Sequence, residues 1–467
     1  MVTSEAKPGI LTLIRDSLDG SHRDFTTGPL NRAILLLAIP MVLEMAMESL
    51  FGIVDGFFVA KLGQDAVATV GFTESLLALV FGTAIGLSLS TTAMVARRTG
   101  EKDPEGAAIA AVQAIALGFG VSLLAAAIGL YFAPDLLTLM GASHSIVTSG
   151  SRYTSLMIGS SGVIFMLFLI NAIFRGAGDP ALAMRALWLA NAVNIVLDPC
   201  LINGWGPFPR LGVFGAAVAT TTGRGIGVLY QLWMLGAGKS RVKIERRQIR
   251  IVPSILWRLL QVSITGIIQF LIATASWLGM VRIISLFGSA AVAGYTIAIR
   301  LFVFVILPSW GLSNAAAALV GQNLGAGKPE RSEAAVYRSG IYNMIYLGTI
   351  SIVFLTCADQ LAGIFTHEPE FHQVAVQCLH ILALGNISYA WGMVMVQAFN
   401  GAGDTRTPTL VNLGCYWMFQ IPLAYVLAVL LGWGPKGVFT AIPSAETALA
   451  ATSLILFTRG RWKKQQI

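Results

Sequence analysis

Long apolar runs separated by short polar clusters follow one another along almost the whole chain. Twelve stand out, at about 33–60, 66–96, 108–132, 147–174, 181–203, 212–236, 254–286, 290–320, 336–357, 372–399, 407–431 and 436–458. Each supplies the ~20 residues that a helix needs to cross a hydrocarbon core of about 30 Å. The pattern predicts an all-α integral membrane protein with twelve transmembrane helices. Ahead of the first run, Ile10, Leu11, Ile14 and Leu18 share one helical face while Arg15, Asp16 and Asp19 lie elsewhere. That spacing suits a short helix on the membrane surface, with a poorly ordered tail as the competing expectation. No apolar run there precedes a small-residue cleavage site, so no signal peptide is expected.

Composition sharpens the class. Of 467 residues, 55% are hydrophobic and 12% charged, about half the charged share of a soluble chain. A soluble enzyme, a secreted scaffold and a nucleic-acid binder are set aside, and the lipid bilayer is the expected partner. The net charge of +8 sits in particular loops. Lys and Arg collect at the termini (Lys7, Arg15, Arg23 and Arg32 at the first) and in the even-numbered loops, such as Arg97, Arg98 and Lys102 or Lys239 to Arg250, whereas the odd-numbered loops hold Lys61, Arg152, Arg210 and Lys436. The positive-inside bias puts both termini in the cytoplasm of a cell whose plasma or inner membrane holds the protein. Arg224, Arg282 and Arg300 remain inside spans. Cys200, Cys357, Cys378 and Cys415 have unrelated spacings, which give neither a disulfide framework nor a metal motif.

An internal repeat organises the chain. At a shift of 225 residues, Gly176-Ala177-Gly178-Asp179 recurs as Gly401-Ala402-Gly403-Asp404, Gly212-Val213-Phe214 as Gly437-Val438-Phe439, Gly86-Leu87-Ser88 as Gly311-Leu312-Ser313, and Gly100 as Gly325. The expected organisation is a tail over 1–32, a six-helix lobe over 33–236, a cytoplasmic linker over 237–253, a second six-helix lobe over 254–458 and a tail over 459–467. With an even number of spans per lobe, both insert the same way, as parallel repeats about an axis along the membrane normal. Such a scaffold suggests alternating access around a central cleft. In the Gly-Ala-Gly-Asp turns, the glycines are expected to end one helix and Asp179 or Asp404 to cap the next.

These residues carry a resemblance. Val54-Asp55 with Leu62-Gly63, Gln322-Asn323-Leu324-Gly325, the two Gly-Ala-Gly-Asp turns, Asn194 to Asp198, and Gly215-Ala216-Ala217 ahead of Thr220 make the chain similar, over nearly its whole length, to the MATE (multidrug and toxic compound extrusion) family. The resemblance implies export of organic, often cationic, compounds in exchange for H⁺ or Na⁺, with no other cofactor. It carries the family's amino-lobe cation site onto Asp55, Asn194, Asp198 and Thr220. The first-half counterpart of Gln322 to Gly325 departs from the pattern, reading Arg97-Arg98-Thr99-Gly100.

The residues point the same way. An ionised carboxylate at the bilayer centre costs about 2.5–3.5 kcal/mol on insertion scales and needs a reason. In the first span, Glu44, Glu48 and Asp55 fall within roughly 40° of one another and form one acidic stripe. In the fifth, Asn191, Asn194 and Asp198 share a face, and Pro199 frees the Ile195 carbonyl. Asp55, Glu74, Asn194, Asp198 and Thr220 lie in the outer half of the membrane under the assigned orientation. Gathered carboxylates and neutral oxygens suit reversible protonation or a hard cation such as Na⁺. Glu44, Glu48 and Asn191 are candidates for a proton relay, and Glu74 reads as an interfacial residue.

Under the 225 shift, Glu44, Glu48, Asp55, Asp198 and Thr220 become Gln269, Ala273, Met280, Leu423 and Ala445, so coupling chemistry is expected in the first half, an arrangement that resembles the DinF-like branch. Glu446 is the exception. Gln269, Met280, Met393, Tyr416, Trp417 and Gln420 are candidates for an adaptable substrate cleft, against the commoner role of such residues in packing. Pro40, Pro308 and Pro422 are candidate kinks. The best functional reading is a monomeric efflux transporter for small organic compounds. A flippase for a lipid-linked substrate is the alternative, and it calls for cations in the cleft. An enzyme is not expected, since the five histidines (His22, His144, His367, His372, His380) sit in tails, loops or a helix end.

Overall fold

The computed structural model describes residues 10–20, 24–465 and 467; the tail residues Lys7, His22 and Arg23 of the sequence reading lie outside them. Among the described residues there is helix and no strand. The short α1 (Ile10–Asp19) lies beside α2 (Leu30–Ala60) with Leu11 and Ile14 exposed, as its facial spacing predicts. An Arg32 to Asp16 ion pair of 3.0 Å and a hydrogen bond from Arg185 to the Leu18 carbonyl hold it.

After α2 come α3 (Gln64–Gly100), α4 (Pro104–Leu139), α5 (His144–Gly159), α6 (Ser161–Ala177), α7 (Pro180–Asn203), α8 (Val213–Gly236), α9 (Pro253–Ile284), α10 (Ser289–Gly325), α11 (Pro329–Gly363), α12 (Pro369–Ala402), α13 (Arg406–Asn412), α14 (Ile421–Tyr425) and α15 (Pro435–Thr458). Helices α5 and α6 form one span broken at Ser160, inside a Gly-Ser-Ser-Gly stretch of the kind that kinks helices. The eleventh span runs from Arg406 to Leu430 through π-helical turns at Leu413–Gln420 and Val426–Leu430; Pro422, which has no N–H for the helix ladder, sits between them. Pro40 and Pro308 are accommodated within continuous helices. Among the described residues, eleven spans are long and apolar enough to cross a membrane by themselves. The twelfth, α8, is made more polar by Arg224, Gln231 and three threonines, and it packs along α7.

Buried apolar side chains form separate clusters in the two sequence halves. Leu87, Phe165 and Ile202 belong to one, Tyr295, Phe354 and Phe439 to another. Two clusters cross between them: Ile34, Leu37 and Met41 pack against Leu312 and Leu319, and Leu259 of α9 joins Ile170 and Phe174. Between the halves α2 packs along α10, and α3 along both α9 and α10.

The carboxyl ends of α3 and α10 meet in a reciprocal contact. A Cβ on Gly100 would overlap the Gln322 carbonyl oxygen, and one on Gly325 would overlap the Arg97 carbonyl oxygen. Gly100 pairs with Gly325, and Arg97 with Gln322, under the 225 shift. The side chains repeat the exchange: Gln322 Nε2 donates to the Gly176 carbonyl at 2.9 Å, while Arg97 Nη2 donates to the Ala402 and Gln465 carbonyls at 3.4 and 3.0 Å. The departure at Arg97 therefore leaves the geometry intact, since the longer guanidinium reaches the same turn of the opposite half. This end also carries the 237–252 linker, residues Thr26 to Gly28 ahead of α2 and Gln465 beyond α15, and it is closed. At the opposite end α2 stands apart, with Leu50, Ile53 and Phe57 exposed and no neighbouring atom within 4 Å of the Cβ positions of Gly52 and Gly56.

The Gly-Ala-Gly-Asp turns end their helices as expected, with Gly178 and Gly403 left-handed at φ 87° and 86°. Asp404 caps the following turn, accepting from Thr407 N at 3.2 Å. Asp179 does not cap; its Oδ2 accepts from Ser240 Oγ at 3.1 Å and Arg241 N at 2.7 Å. The linker supplies donors that compete for that carboxylate.

Candidate functional site

Three polar layers lie along α2 in the first half. In the layer nearest the closed end, Glu44 Oε1 accepts from Asn171 Nδ2 and Arg175 Nη1, both at 3.0 Å, and Gln231 Nε2 donates to Asn171 Oδ1 at 2.6 Å. Glu44 is 1% exposed, and its second oxygen has no partner. One turn on, Glu48 Oε2 accepts from Asn191 Nδ2 at 3.1 Å, with Arg224 Nη2 3.8 Å from its other oxygen. The Arg224 guanidinium lies over the Phe81 ring at 5.3 Å.

The third layer gathers residues that the fifth-span pattern placed on one face. Asn194 Nδ2 donates to Thr220 Oγ1 at 3.0 Å and to Asp198 Oδ1 at a long 3.5 Å. Asn194 Oδ1 and Asp198 Oδ2 are buried and unpartnered. Asp55, half-buried on α2, is near enough for the charges of Asp198, Glu74 and Arg224 to act on it. Gly223 lets α8 lie close against α7 and so brings Thr220 to Asn194, because a Cβ there would press on the Ala190 carbonyl and Asn194. Two carboxylates with neutral amide and hydroxyl oxygens form an acceptor set for a proton or a hard monovalent cation. No group of three His, Cys, Asp or Glu residues able to hold a metal occurs among the described residues.

Of the acidic stripe of the sequence reading, Glu44 and Glu48 are therefore held by amide and guanidinium partners, while Asp55 belongs to the layer with open oxygens. The residues missed are Asn171, Arg175, Arg224 and Gln231. Arg224 carried a signal, four residues after Thr220 on the same helical face; Arg175 lay just past the apolar run ending near 174 and so read as a loop residue. Glu74 is exposed, with the Arg300 charge of α10 acting on it.

A central cavity lies between the halves above the α3–α10 crossing, lined by Ile85, Leu89, Trp310, Gln397 and Asn400, with Arg175 at one side. Of the candidate cleft residues, Gln269 and Met393 line it. Met280 is a correction: it is 1% exposed in the second-half core with Tyr295 and Phe439. Gln420 is buried away from the lining, and the exposed Trp417 spends its Nε1–H on the Ile272 carbonyl at 3.0 Å. Tyr416 likewise turns away, donating to buried Glu446 at 3.0 Å. Trp310, Asn314, Gln397 and Asn400 were missed, because apolar-run reading does not show which face of α10 or α12 meets the other half.

Comparison with known proteins agrees with this architecture. The probable multidrug resistance protein YoeA of Bacillus subtilis is 25% identical over 444 residues, covering 93% of this chain and 95% of the relative. The probable multidrug resistance protein NorM of Pseudomonas aeruginosa is 28% identical over 93% of this chain and 90% of its own length. The FAD transporter of Shewanella oneidensis is 24% identical over 93% and 95%. Among solved structures, a MATE in complex with MaL6 matches with a TM-score of 0.88 at 26% identity, over 94% of this chain and 97% of that one. An outward-facing multidrug resistance MATE family transporter of the MOP superfamily matches at 0.87 and 25% identity, over 99% and 100%. The family model MatE matches twice, at residues 40–200 and 265–426, the second match beginning 225 residues after the first. By fold, repeat and these matches, this multi-pass membrane protein belongs to the MatE family.

Proposed function

We propose that the protein is a secondary active efflux transporter that exports organic, cationic or amphipathic compounds in exchange for H⁺ or Na⁺ by alternating access. The observation that carries the reading is the pair of unpartnered buried oxygens on Asn194 and Asp198, set beside Thr220 and Asp55. A proton or monovalent cation from outside satisfies them; its release to the cytoplasm repays substrate movement outward. The lobes over 33–236 and 254–458 move about the reciprocal α3–α10 contact, the linker and both termini being cytoplasmic by the Lys and Arg distribution. The described form is then outward-facing, in a plasma or inner membrane, and a monomer suffices. Glu48, Asn191 and Glu44 lie between the ion site and Arg175 on the cavity wall, as a relay requires.

The flippase alternative needs cleft cations free for phosphate. Arg175 and Arg224 each lie against a glutamate, which favours export. The test is transport in proteoliposomes under imposed pH and sodium gradients, with a lipid-linked substrate as the competing cargo. Gradient-driven export of organic dyes supports the reading; movement of the lipid-linked cargo alone opposes it.

A further inference from the structure

The repeat places Gln269 at the position of Glu44 and Asn400 at that of Arg175. Where the first half makes an ion pair, the second holds two neutral amides whose carbonyl oxygens have no donor. Asn400 commits its amino group to Gln397 Oε1 at 3.0 Å, and Gln397 commits its own to Asn314 Oδ1 at 2.6 Å. The chain of amides thus runs toward Asn314 and leaves Asn400 Oδ1 as its open acceptor end. Asn412 Oδ1 is a third buried oxygen without a donor. Gln269, Asn400 and Asn412 are 7%, 2% and 6% exposed, and all three line one cavity of ≈ 140 Å³ that Trp310 and Phe270 also wall. No carboxylate lines it, and the nearby Glu44 is engaged by Arg175.

Buried acceptors without donors are costly, and a ligand that brings N–H groups removes that cost. We propose that Gln269, Asn400 and Asn412, beneath Trp310 and Phe270, form an acceptor site for aromatic compounds bearing N–H donors, such as amidines and arylamines. The site reads donors through amide oxygens and flatness through the rings, and net charge matters less. This deepens the proposed function and rests on its premise that organic substrates enter the central cavity.

The test measures binding of two aromatic cations to the purified full-length protein: the diamidine dye DAPI, rich in N–H donors, and tetraphenylphosphonium, which has none. Asn400→Leu and Gln269→Met each weaken DAPI binding at least about tenfold and change tetraphenylphosphonium binding by less than about twofold. Gln269→Glu, which keeps an acceptor in place, retains DAPI binding and guards against a folding defect. Equal loss of both probes, or DAPI binding indifferent to the amides, overturns the proposal and marks the array as internal structure. Wild-type protein that binds DAPI through the amides yet fails to move it under either gradient contradicts the export reading and leaves the site standing.

Discussion

Asp198 and Glu44 are both buried carboxylates of the first half, and their surroundings give them different work. Glu44 Oε1 is held by a guanidinium and an amide, whereas Asp198 has one long contact from Asn194 and a free oxygen. Removing Arg175 leaves Glu44 buried without its countercharge, which costs about 3–5 kcal/mol. Arg175→Ala is therefore expected to lower the melting temperature sharply, and Arg175→Ala with Glu44→Gln to recover much of the loss, as thermal unfolding in detergent will show. Met280→Gln places an amide in an apolar core, costing about 1–3 kcal/mol if it finds no partner; a stability loss is expected, with gradient dependence unchanged in the protein that folds. The sequence showed the acids, since carboxylates inside apolar runs are conspicuous. It did not show their partners, because Arg175 lay outside a run and Asn171 and Gln231 become partners only once α6 and α8 touch.

At the scale of elements, the crossing of α3 and α10 and the strap before α2 hold one end closed. Gly325→Leu drives a side chain into the Arg97 carbonyl and is expected to shift the population away from the closed end. Spin-label distances across that end should broaden toward longer values, and a wild-type distribution would contradict the role given to the crossing. The strap is fixed by Lys328 Nζ on the Thr26 carbonyl at 2.8 Å and Arg331 on the Gly28 and Thr27 carbonyls at 3.0 and 2.9 Å. Within it, burial raises the Asp24 carboxyl, but hydrogen bonds from Thr26 and the charges of Lys102 and Lys328 outweigh it and hold the group below its ordinary range. A depressed value means the stabilisation is full above the unfolded pKa of about 3.9 and is lost as pH falls through the folded one. Asp24→Asn should then lower the melting temperature at about pH 7 and have a diminishing effect as pH falls below about 4. Element existence was legible from apolar runs and helix stops. The break at Ser160 and the π-helical eleventh span were not, because both depend on how a polar or proline-bearing helix settles against its neighbours.

For the whole molecule, the 225-residue shift was the most informative sequence feature, and the reciprocal contacts of Gly100 with Gly325 and Arg97 with Gln322 give it physical content. Symmetry did not extend to chemistry: the second half replaces the Glu44–Arg175 pair with amides and, besides the turn residue Asp404, buries Glu446 within a span, partnered by Tyr416. Reporter fusions at the 237–252 linker and at the carboxyl terminus should read as cytoplasmic, and fusions near Arg210 or Lys436 as external; an external linker would reverse the orientation. The central claim is that the first-half oxygens couple an ion gradient to export. Its most direct test is dye transport by Asp198→Asn in proteoliposomes, with imposed pH and sodium gradients and with dye exchange in their absence. The account predicts that this variant inserts, binds and exchanges dye yet loses gradient-driven transport, with Asp55→Asn behaving alike. Wild-type gradient-driven rates in both variants would contradict it.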